Sequence, residues 1–377
     1  MTELYPLDRV ARAQKAAADA DLDALLLTPS ADLRYLTGYA ALPLERLTCL
    51  VVPARGQATL IVPALERPAA EASPAGGLGI PILPWQETDD PFALVARLLT
   101  DALGERPRAV GLANHMWAEH VLRFRAALPG AEQRLAGAVL RELRIRKTPE
   151  EVEALRRAGA AIDRVHERMA EFLRAGRTEH QVARDIADAI IAEGHSRVNF
   201  TIVGSGPNGA SPHHHSSERV IQAGDPVVVD IGGSTAEGYC SDMTRTYVVG
   251  TPPPDFLGYY AVLQAAQEAA VAAVRPGVTA ESVDAAARDV IAAAGYGEYF
   301  VHRTGHGIGL DEHEDPYLVA GNAEPLEPGM AFSIEPGIYL PGRHGARIED
   351  ILVCTGDGVD RLNLVTRDLV VLPAGEG

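Results

Sequence analysis

The chain has 377 residues, enough for two domains at about 100–200 residues each, both able to bury a core. Its 34 Lys+Arg against 51 Asp+Glu leave a net charge of −17, which disfavours a nucleic-acid backbone or an anionic membrane as partner. Hydrophobic residues at 47% and charged residues at 23% are those of a soluble globular protein, and with only Lys15 and Lys147 as lysines and no G-x-x-x-x-G-K-[ST], Schiff-base and P-loop chemistry have little place.

The first 140 residues alternate helix and strand signals. Residues 8–20 read as a helix and Ala24 to Thr28 as a short apolar strand. Leu47–Pro53 and Ala58–Pro63 flank the turn Ala54-Arg55-Gly56-Gln57 as a hairpin. The Pro/Gly-rich stretch from Pro68 to Pro84 is expected to be a loop, residues 91–103 an amphipathic helix, and Ala109–Leu112 a strand. Thr148-Pro149-Glu150-Glu151 is a capping box with proline at the first helical position, so a helix and a new domain begin there. A second helix spans 178–193. Strands are expected at Asn199–Val203, Val227–Ile231, Met243–Val249, Ala331–Ile334 and Arg347–Thr355, with helices near 255–274 and 279–294. Strands and helices segregate in this larger lobe, which predicts an α+β fold with an antiparallel sheet.

Ten of the twelve histidines lie beyond residue 160. Cys49, Cys240 and Cys354 are scattered, odd in number and without a C-x-x-C, which points to buried thiols in a reducing compartment. The N-terminal residues lack a signal-peptide pattern, and no apolar run reaches the roughly 18 residues of a membrane span. A cytoplasmic location is the expectation.

Five motifs carry candidate chemistry. Val227-Val228-Val229-Asp230-Ile231-Gly232-Gly233 closes an apolar strand on a carboxylate, which is costly to bury without compensation. Asp242 opens the next strand, and a hairpin between the two brings both carboxylates together. In His302-Arg303-Thr304-Gly305-His306-Gly307-Ile308-Gly309, glycines on both sides of His306 allow close backbone approach; the run lacks the G-x-G-x-x-G frame of a dinucleotide site. Period-2 alternation puts Ser333 and Glu335 on one strand face, and Arg347 and Glu349 on one face of another. Each acid taken singly is an ordinary turn or solvated residue. Four carboxylates and a histidine converging from separate strands fit a two-cation site, with oxygen donors suited to hard or borderline metals.

The order Asp230, Asp242, His306, Glu335, Glu349 on these motifs resembles the M24 "pita-bread" metallopeptidases, a family that includes methionine aminopeptidase, aminopeptidase P and prolidase. The resemblance is strongest over 145–372. Leu33-Arg34-Tyr35-Leu36-Thr37-Gly38-Tyr39 in the first lobe is similar to the Xaa-Pro peptidase branch. It implies a pita-bread catalytic domain at 144–377 behind a smaller α/β, creatinase-like domain at 1–143. It further implies two divalent ions per chain, with Mn2+ favoured and Co2+ or Zn2+ as alternatives. Asp230, Asp242, His306, Glu335 and Glu349 would be the ligands, with Glu335 also shuttling protons. His213, His302 and His313 match the family's outer histidines, expected to donate to the substrate carbonyl and oxyanion; Tyr339 and Arg347 match pocket positions. His214 and His215 read as loop decoration.

The implied reaction is hydrolysis of the Xaa-Pro bond at the N-terminus of small proline-containing peptides, with prolidase slightly favoured over aminopeptidase P by the compact length. A homodimer is implied as well. A dipeptidase must hold the substrate carboxylate, and where some prolidases carry an arginine shortly after the histidine at 313, this chain runs Glu314-Asp315-Pro316-Tyr317. Arg303, Arg343, Arg34 and Arg46 are the open candidates for that role. The rival readings are a metal-free creatinase-like amidinohydrolase, which five intact ligands oppose, and a non-enzymatic module of the same fold.

Overall fold

A computed structural model describes residues 4–6 and 8–374. Its internal contacts divide the chain between Arg144 and Ile145. In the first unit, helices α1 (Asp8–Asp19), α2 (Ala31–Thr37), α3 (Arg67–Ala72), α4 (Pro91–Leu103), α5 (Ala118–Ala127) and α6 (Gly137–Arg144) accompany strands β1 (Ala24–Leu27), β2 (Cys49–Pro53), β3 (Thr59–Pro63), β4 (Ile82–Trp85), β5 (Ala109–Leu112) and β6 (Glu132–Leu135). The strands form one mixed sheet in the order β4-β3-β2-β1-β5-β6. Every residue of the Ala-Leu-Leu-Leu strand β1 is buried, as a central strand with both faces covered requires.

One expectation fails in this unit. The stretch from Pro68 to Pro84 is not a loop: it holds most of α3, a 3-10 turn at Pro74–Gly77 and the start of β4. Proline in the first helical turn removes no needed donor, and the Ser73 hydroxyl accepts from the Ala75 amide to start the next turn. Parallel pairing of Ile82 with Leu60 and of Leu83 with Ile61 then makes a strand that local propensity does not announce.

The second unit contains α7 (Pro149–Glu167), α8 (Met169–Phe172), α9 (Glu179–Ala192), α10 (Phe256–Ala273) and α11 (Ala280–Ala293). Its strands are β7 (Arg197–Ser205), β8 (Pro226–Ser234), β9 (Met243–Val249), β10 (Gly305–Gly307), β11 (Glu314–Leu318), β12 (Ala331–Ile334), β13 (Gly337–Leu340), β14 (His344–Arg347), β15 (Asp350–Cys354), β16 (Val359–Arg361) and β17 (Val370–Leu372). The capping box is made as the sequence implies. Thr148 N donates to Glu151 Oε2 at 2.9 Å, and Glu151 N donates back to Thr148 Oγ1 at 3.4 Å.

Two sheets, each backed by its own helices, frame the functional region. One has the order β17-β9-β8-β7, the other β11-β10-β12-β15-β16, with the hairpin β13-β14 as a separate ribbon. Ile162, Val165, Val182, Ile186 and Ile190 of α7 and α9 pack on Val227, Val229, Ile231, Met243 and Tyr247. Phe256, Leu263, Val283 and Ile291 of α10 and α11 pack on Phe332, Ile334, Ile348 and Leu352. The helices thus claim one face of each sheet. The alternate residues, Asp230 among them, point the other way. The sheet is antiparallel as expected except at its edge, where β17 runs parallel to β9.

Candidate active site

Asp230 sits within β8 rather than at its end, because the strand continues through Gly232 and Gly233 to Ser234. Those glycines serve close packing: a Cβ on Gly232 would lie 2.5 Å from the Ser241 carbonyl oxygen. In the β8–β9 register Asp230 faces Thr244 and Ile231 faces Met243, so Asp242, one residue before β9, arrives beside Asp230. His306 is the middle residue of β10. A Cβ on Gly305 would fall 1.9 Å from the Ser333 carbonyl, and one on Gly307 2.2 Å from that of Asp315. Glycine on both sides is what lets the imidazole strand lie so deep. Glu335 follows β12, and Glu349 lies between β14 and β15, so the two glutamates stand at strand ends rather than on strand faces.

These residues meet in one cavity of ≈ 450 Å³. Ligand atoms of Asp230, Asp242 and Glu349, of His306, Glu335 and Glu349, and of Asp242, His306 and His313 form three groups whose members lie within 4.8 Å of one another. His306 Nδ1 lies 3.0 Å from the Gly307 carbonyl, which only accepts, so Nδ1 carries the proton. The Nε2 lone pair therefore faces Glu335 Oε1 at 3.3 Å and Asp242 Oδ2 at 3.6 Å. Burial and the neighbouring His313 hold the His306 pKa down at about 3, so protonation does not bridge that gap. Burial and mutual repulsion with Glu349, Asp230 and Glu335 drive the Asp242 carboxyl far above its ordinary range. Burial with Glu335 and Asp230 does the same to Glu349.

Asp230 Oδ1 and Glu349 Oε1 are buried without a hydrogen-bond partner among the described residues. Three buried carboxylates, the partly buried Glu335 and an imidazole lone pair share one space in which only Asp230 has a guanidinium partner, an arrangement that is unfavourable unless cations enter. The donor set, mostly carboxylate oxygens with one imidazole nitrogen, therefore fits divalent ions.

Around this centre Arg347 ties the walls together. It is 2% exposed. It donates to Asp230 Oδ2 at 2.5 Å, Thr244 Oγ1 at 3.0 Å, Tyr339 Oη at 2.7 Å and the Pro212 carbonyl at 3.3 Å. Thr244 Oγ1 in turn donates to Glu349 Oε2 at 2.6 Å. Tyr339 Oη, accepting from Arg347, donates to His302 Nε2 at 2.8 Å, and His302 Nδ1 donates to the Arg303 carbonyl at 2.7 Å. Burial and Arg347 hold His302 neutral, its pKa down at about 4. Neither of its ring nitrogens is left to donate, so the expected contact from His302 to an oxyanion is not built; the ring braces Tyr339 instead.

His313 lies against His306 with centroids 3.8 Å apart. Its Nδ1 accepts from Arg303 at 3.2 Å, which puts the proton on Nε2. His213 lines the same cavity.

Three features were missed or misread by sequence reasoning: an apolar wall, Arg245 and His214. Phe200 and Ile202 pair across β7–β8 with Gly232 and Asp230, and so form an apolar wall on the site face; that cross-strand register was the available signal. Arg303, already a candidate for the substrate carboxylate, lies with its guanidinium carbon 4.3 Å from the Tyr317 ring centroid, and among the described residues no carboxylate pairs with it. Arg245 donates to the Glu349 carbonyl at 2.6 Å and to Asp350 Oδ1 at 2.7 Å, steadying the segment that carries Glu349. His214 is not loop decoration: its Nε2 lies 2.7 Å from Glu179 Oε2. His215 is exposed, and the structure gives it no role. Among the other arginines considered, Arg343 is paired with Asp255, and Arg46 with Glu45 and Glu87; Arg34 and Arg46 belong to the N-terminal unit.

A two-sheet cavity lined by carboxylates and histidines, with donors set for divalent ions, defines the class as a metallohydrolase. Residues 153–356 match the profile of metallopeptidase family M24, and residues 9–146 that of the creatinase/prolidase N-terminal domain. The chain resembles the crystal structure of dipeptidase PepE from Mycobacterium ulcerans with TM-score 0.92 and 56% identity, covering 99% of each chain. It is 37% identical to an Xaa-Pro dipeptidase of Lactobacillus helveticus, over 96% of this chain and 98% of that protein. An X-Pro aminopeptidase structure from Thermotoga maritima aligns with TM-score 0.83 at 28% identity, covering 95% of this chain and 100% of that one. The chain belongs to metallopeptidase family M24: a pita-bread domain preceded by a creatinase-type N-terminal domain. No helix among the described residues is long and apolar enough to cross a membrane.

Proposed function

We propose that this protein hydrolyses the Xaa-Pro bond of small peptides, with free Xaa-Pro dipeptides preferred over longer Xaa-Pro-Yaa chains, and that residues 144–377 carry the chemistry. The observation that carries the reading is the convergence of Asp230, Asp242, His306, Glu335 and Glu349 on one cavity, with a buried oxygen of Asp230 and one of Glu349 lacking a hydrogen-bond partner among the described residues. These five residues would hold two divalent ions, manganese being favoured by the four carboxylates; when bound, such ions acidify a water and polarise a carbonyl.

The chain's own groups divide the remaining work. The Glu335 carboxyl, pushed up to about 7 by burial and Asp230 against the pull of Arg347, is poised to take a proton from the attacking water and return it to the proline nitrogen. His313 Nε2–H offers a hydrogen bond to a developing oxyanion, and His213, lining the same cavity, would orient the substrate. His302 and Tyr339 keep Arg347 directed at Asp230. Phe200 and Ile202 supply the apolar surface that a ring or side chain needs to exclude water.

The dipeptide preference rests on Arg303. Stacked on Tyr317, bonded to His313 and without a carboxylate partner among the described residues, it is the cation of the cavity whose charge is not already used by an acid. The test is a rate comparison on Xaa-Pro and Xaa-Pro-Yaa peptides with chelated and metal-reconstituted protein, alongside Asp242→Ala and Glu349→Ala. Both variants are expected to lose bound metal, by elemental analysis, together with all hydrolysis. An Asp242→Ala protein that still cleaves Xaa-Pro would sink the assignment. Faster turnover of tripeptides than of dipeptides would instead make the protein an aminopeptidase.

A further inference from the structure

Glu179 has no part in the chemistry above, yet it is 0% exposed. It is the first residue of α9, after the N-cap Thr178. A carboxylate in that position is tolerable only if its lone pairs are filled, and one loop fills them. Oε1 accepts from Ser205 N at 2.7 Å, Ser205 Oγ at 2.7 Å and Asn208 Nδ2 at 3.1 Å. Oε2 accepts from His214 Nε2 at 2.7 Å, Ser217 Oγ at 2.7 Å, Ser217 N at 3.0 Å and Asn208 Nδ2 at 3.1 Å. Burial raises the pKa of this carboxyl, but the bonds from Ser205, His214 and Ser217 outweigh it and keep the group ionised.

All seven contacts come from residues 205–217, the segment that leaves β7 and contributes Pro212 and His213 to the cavity lining. Its other side meets the site. Pro212 gives its carbonyl to Arg347, and His213, next in sequence to the residue bound by Glu179, lines the cavity. A second clip holds the start of the loop: Arg219 donates to Ser205 Oγ at 2.6 Å while paired with Asp225 at 2.6 Å.

We propose that Glu179 is the positioning residue of His213: its one carboxylate gathers Ser205, Asn208, His214 and Ser217 and so fixes where the loop presents His213 to the substrate. The inference rests on the reading of His213 as a substrate-orienting group. It assigns Glu179 and His214 a role in turnover exercised without touching substrate.

The test uses the metal-loaded full chain and the variants Glu179→Gln, His214→Ala, His214→Gln and His213→Ala, with the double Glu179→Gln/His213→Ala. Misplacing an orienting group by about 1 Å costs on the order of 10²-fold in rate, so Glu179→Gln and His214→Ala should lower kcat/KM for Xaa-Pro by about 10- to 100-fold. His214→Gln, which keeps an N–H donor for the carboxylate, should recover most of that loss. In the His213→Ala background Glu179→Gln should cost nothing further, because its effect passes through a side chain already gone. Amide hydrogen exchange should speed up across 205–217 in Glu179→Gln and His214→Ala and stay unchanged across β8.

Additive losses in the double variant, or no rescue by His214→Gln, would show a merely structural carboxylate and overturn the proposal. So would unchanged exchange over 205–217. If the wild-type chain leaves Xaa-Pro peptides intact, the proposed function fails, and the exchange measurement still decides whether Glu179 fixes the loop.

Discussion

At the scale of single residues, the site is a set of hydrogen-bond obligations that leave few groups spare. Arg347 spends its donors on Asp230, Thr244, Tyr339 and Pro212, so it is not available to grip a substrate. Arg303 is different: half-buried, laid flat on Tyr317 and donating to His313. An arginine held on an aromatic face keeps its planar fork ordered for a bidentate carboxylate. A hydrogen bond to a charged group contributes about 1.5–3 kcal/mol, or roughly 10- to 100-fold in binding. Arg303→Gln, whose amide keeps an N–H to offer His313 Nδ1, should therefore raise KM for an Xaa-Pro dipeptide by about that factor, with kcat little changed. The same variant should act on the corresponding Xaa-Pro amide much as the wild type does, because the amide has no carboxylate to lose. Equal losses on both substrates would remove Arg303 from the specificity argument.

At the scale of elements, the deep seat of His306 depends on its flanking glycines more than on any side chain. A Cβ at Gly305 would lie 1.9 Å from the Ser333 carbonyl oxygen, a backbone atom that cannot rotate away. Gly305→Ala should force β10 off β12 and cost about 3 kcal/mol, the upper end for overpacking. Gly356→Ala, where a Cβ would meet nothing within 4 Å, is the control and should stay within about 0.5 kcal/mol of wild type. Urea unfolding of both in chelator measures the difference, and equal midpoints would remove the steric argument.

The same glycines show how far the sequence could be read. Their flanking of His306 is legible because close approach and glycine go together locally, and the capping box at Thr148 is legible for the same reason. Gly232-Gly233 misled: glycines usually end strands, and only packing against Ser241 and Arg197 keeps β8 running through them. Asp230 beside Asp242 followed from a hairpin, a short-range inference. The grip of Glu179 on His214 and the stacking of Arg303 on Tyr317 had no local pattern to betray them, since each joins segments whose approach is set by tertiary packing.

At the scale of the whole molecule, the acidic excess of the composition and its clustered histidines have different consequences. Part of the −17 charge is concentrated in the four site carboxylates and belongs to the centre rather than to the surface. Several histidines outside that centre are buried and neutral, among them His166 and His195, whose pKa values burial lowers. His166 is 2% exposed. Its Nε2–H donates to the Met243 carbonyl at 3.2 Å, and its Nδ1 accepts from Tyr247 Oη at 2.9 Å. Burial, and after it the charge of Arg245, lower its pKa from 6.5 to about 3. Between those two values the unfolded chain binds a proton that the folded chain refuses, so stability rises with pH across the window. The contribution is whole above pH ~6.5 and is lost progressively as pH falls towards ~3. Lowering the pH from 7 to 5 should cost the wild type about 2 kcal/mol through this residue alone. His166→Gln has no such proton to take up. Its stability gap to the wild type should therefore narrow or reverse by about 2 kcal/mol between pH 7 and pH 5, with both proteins unfolded by urea in chelator so that metal release does not enter. The carboxylates titrate alike in the two chains and cancel in the comparison. Parallel stability curves over this range would mean that His166 is protonated in the folded state.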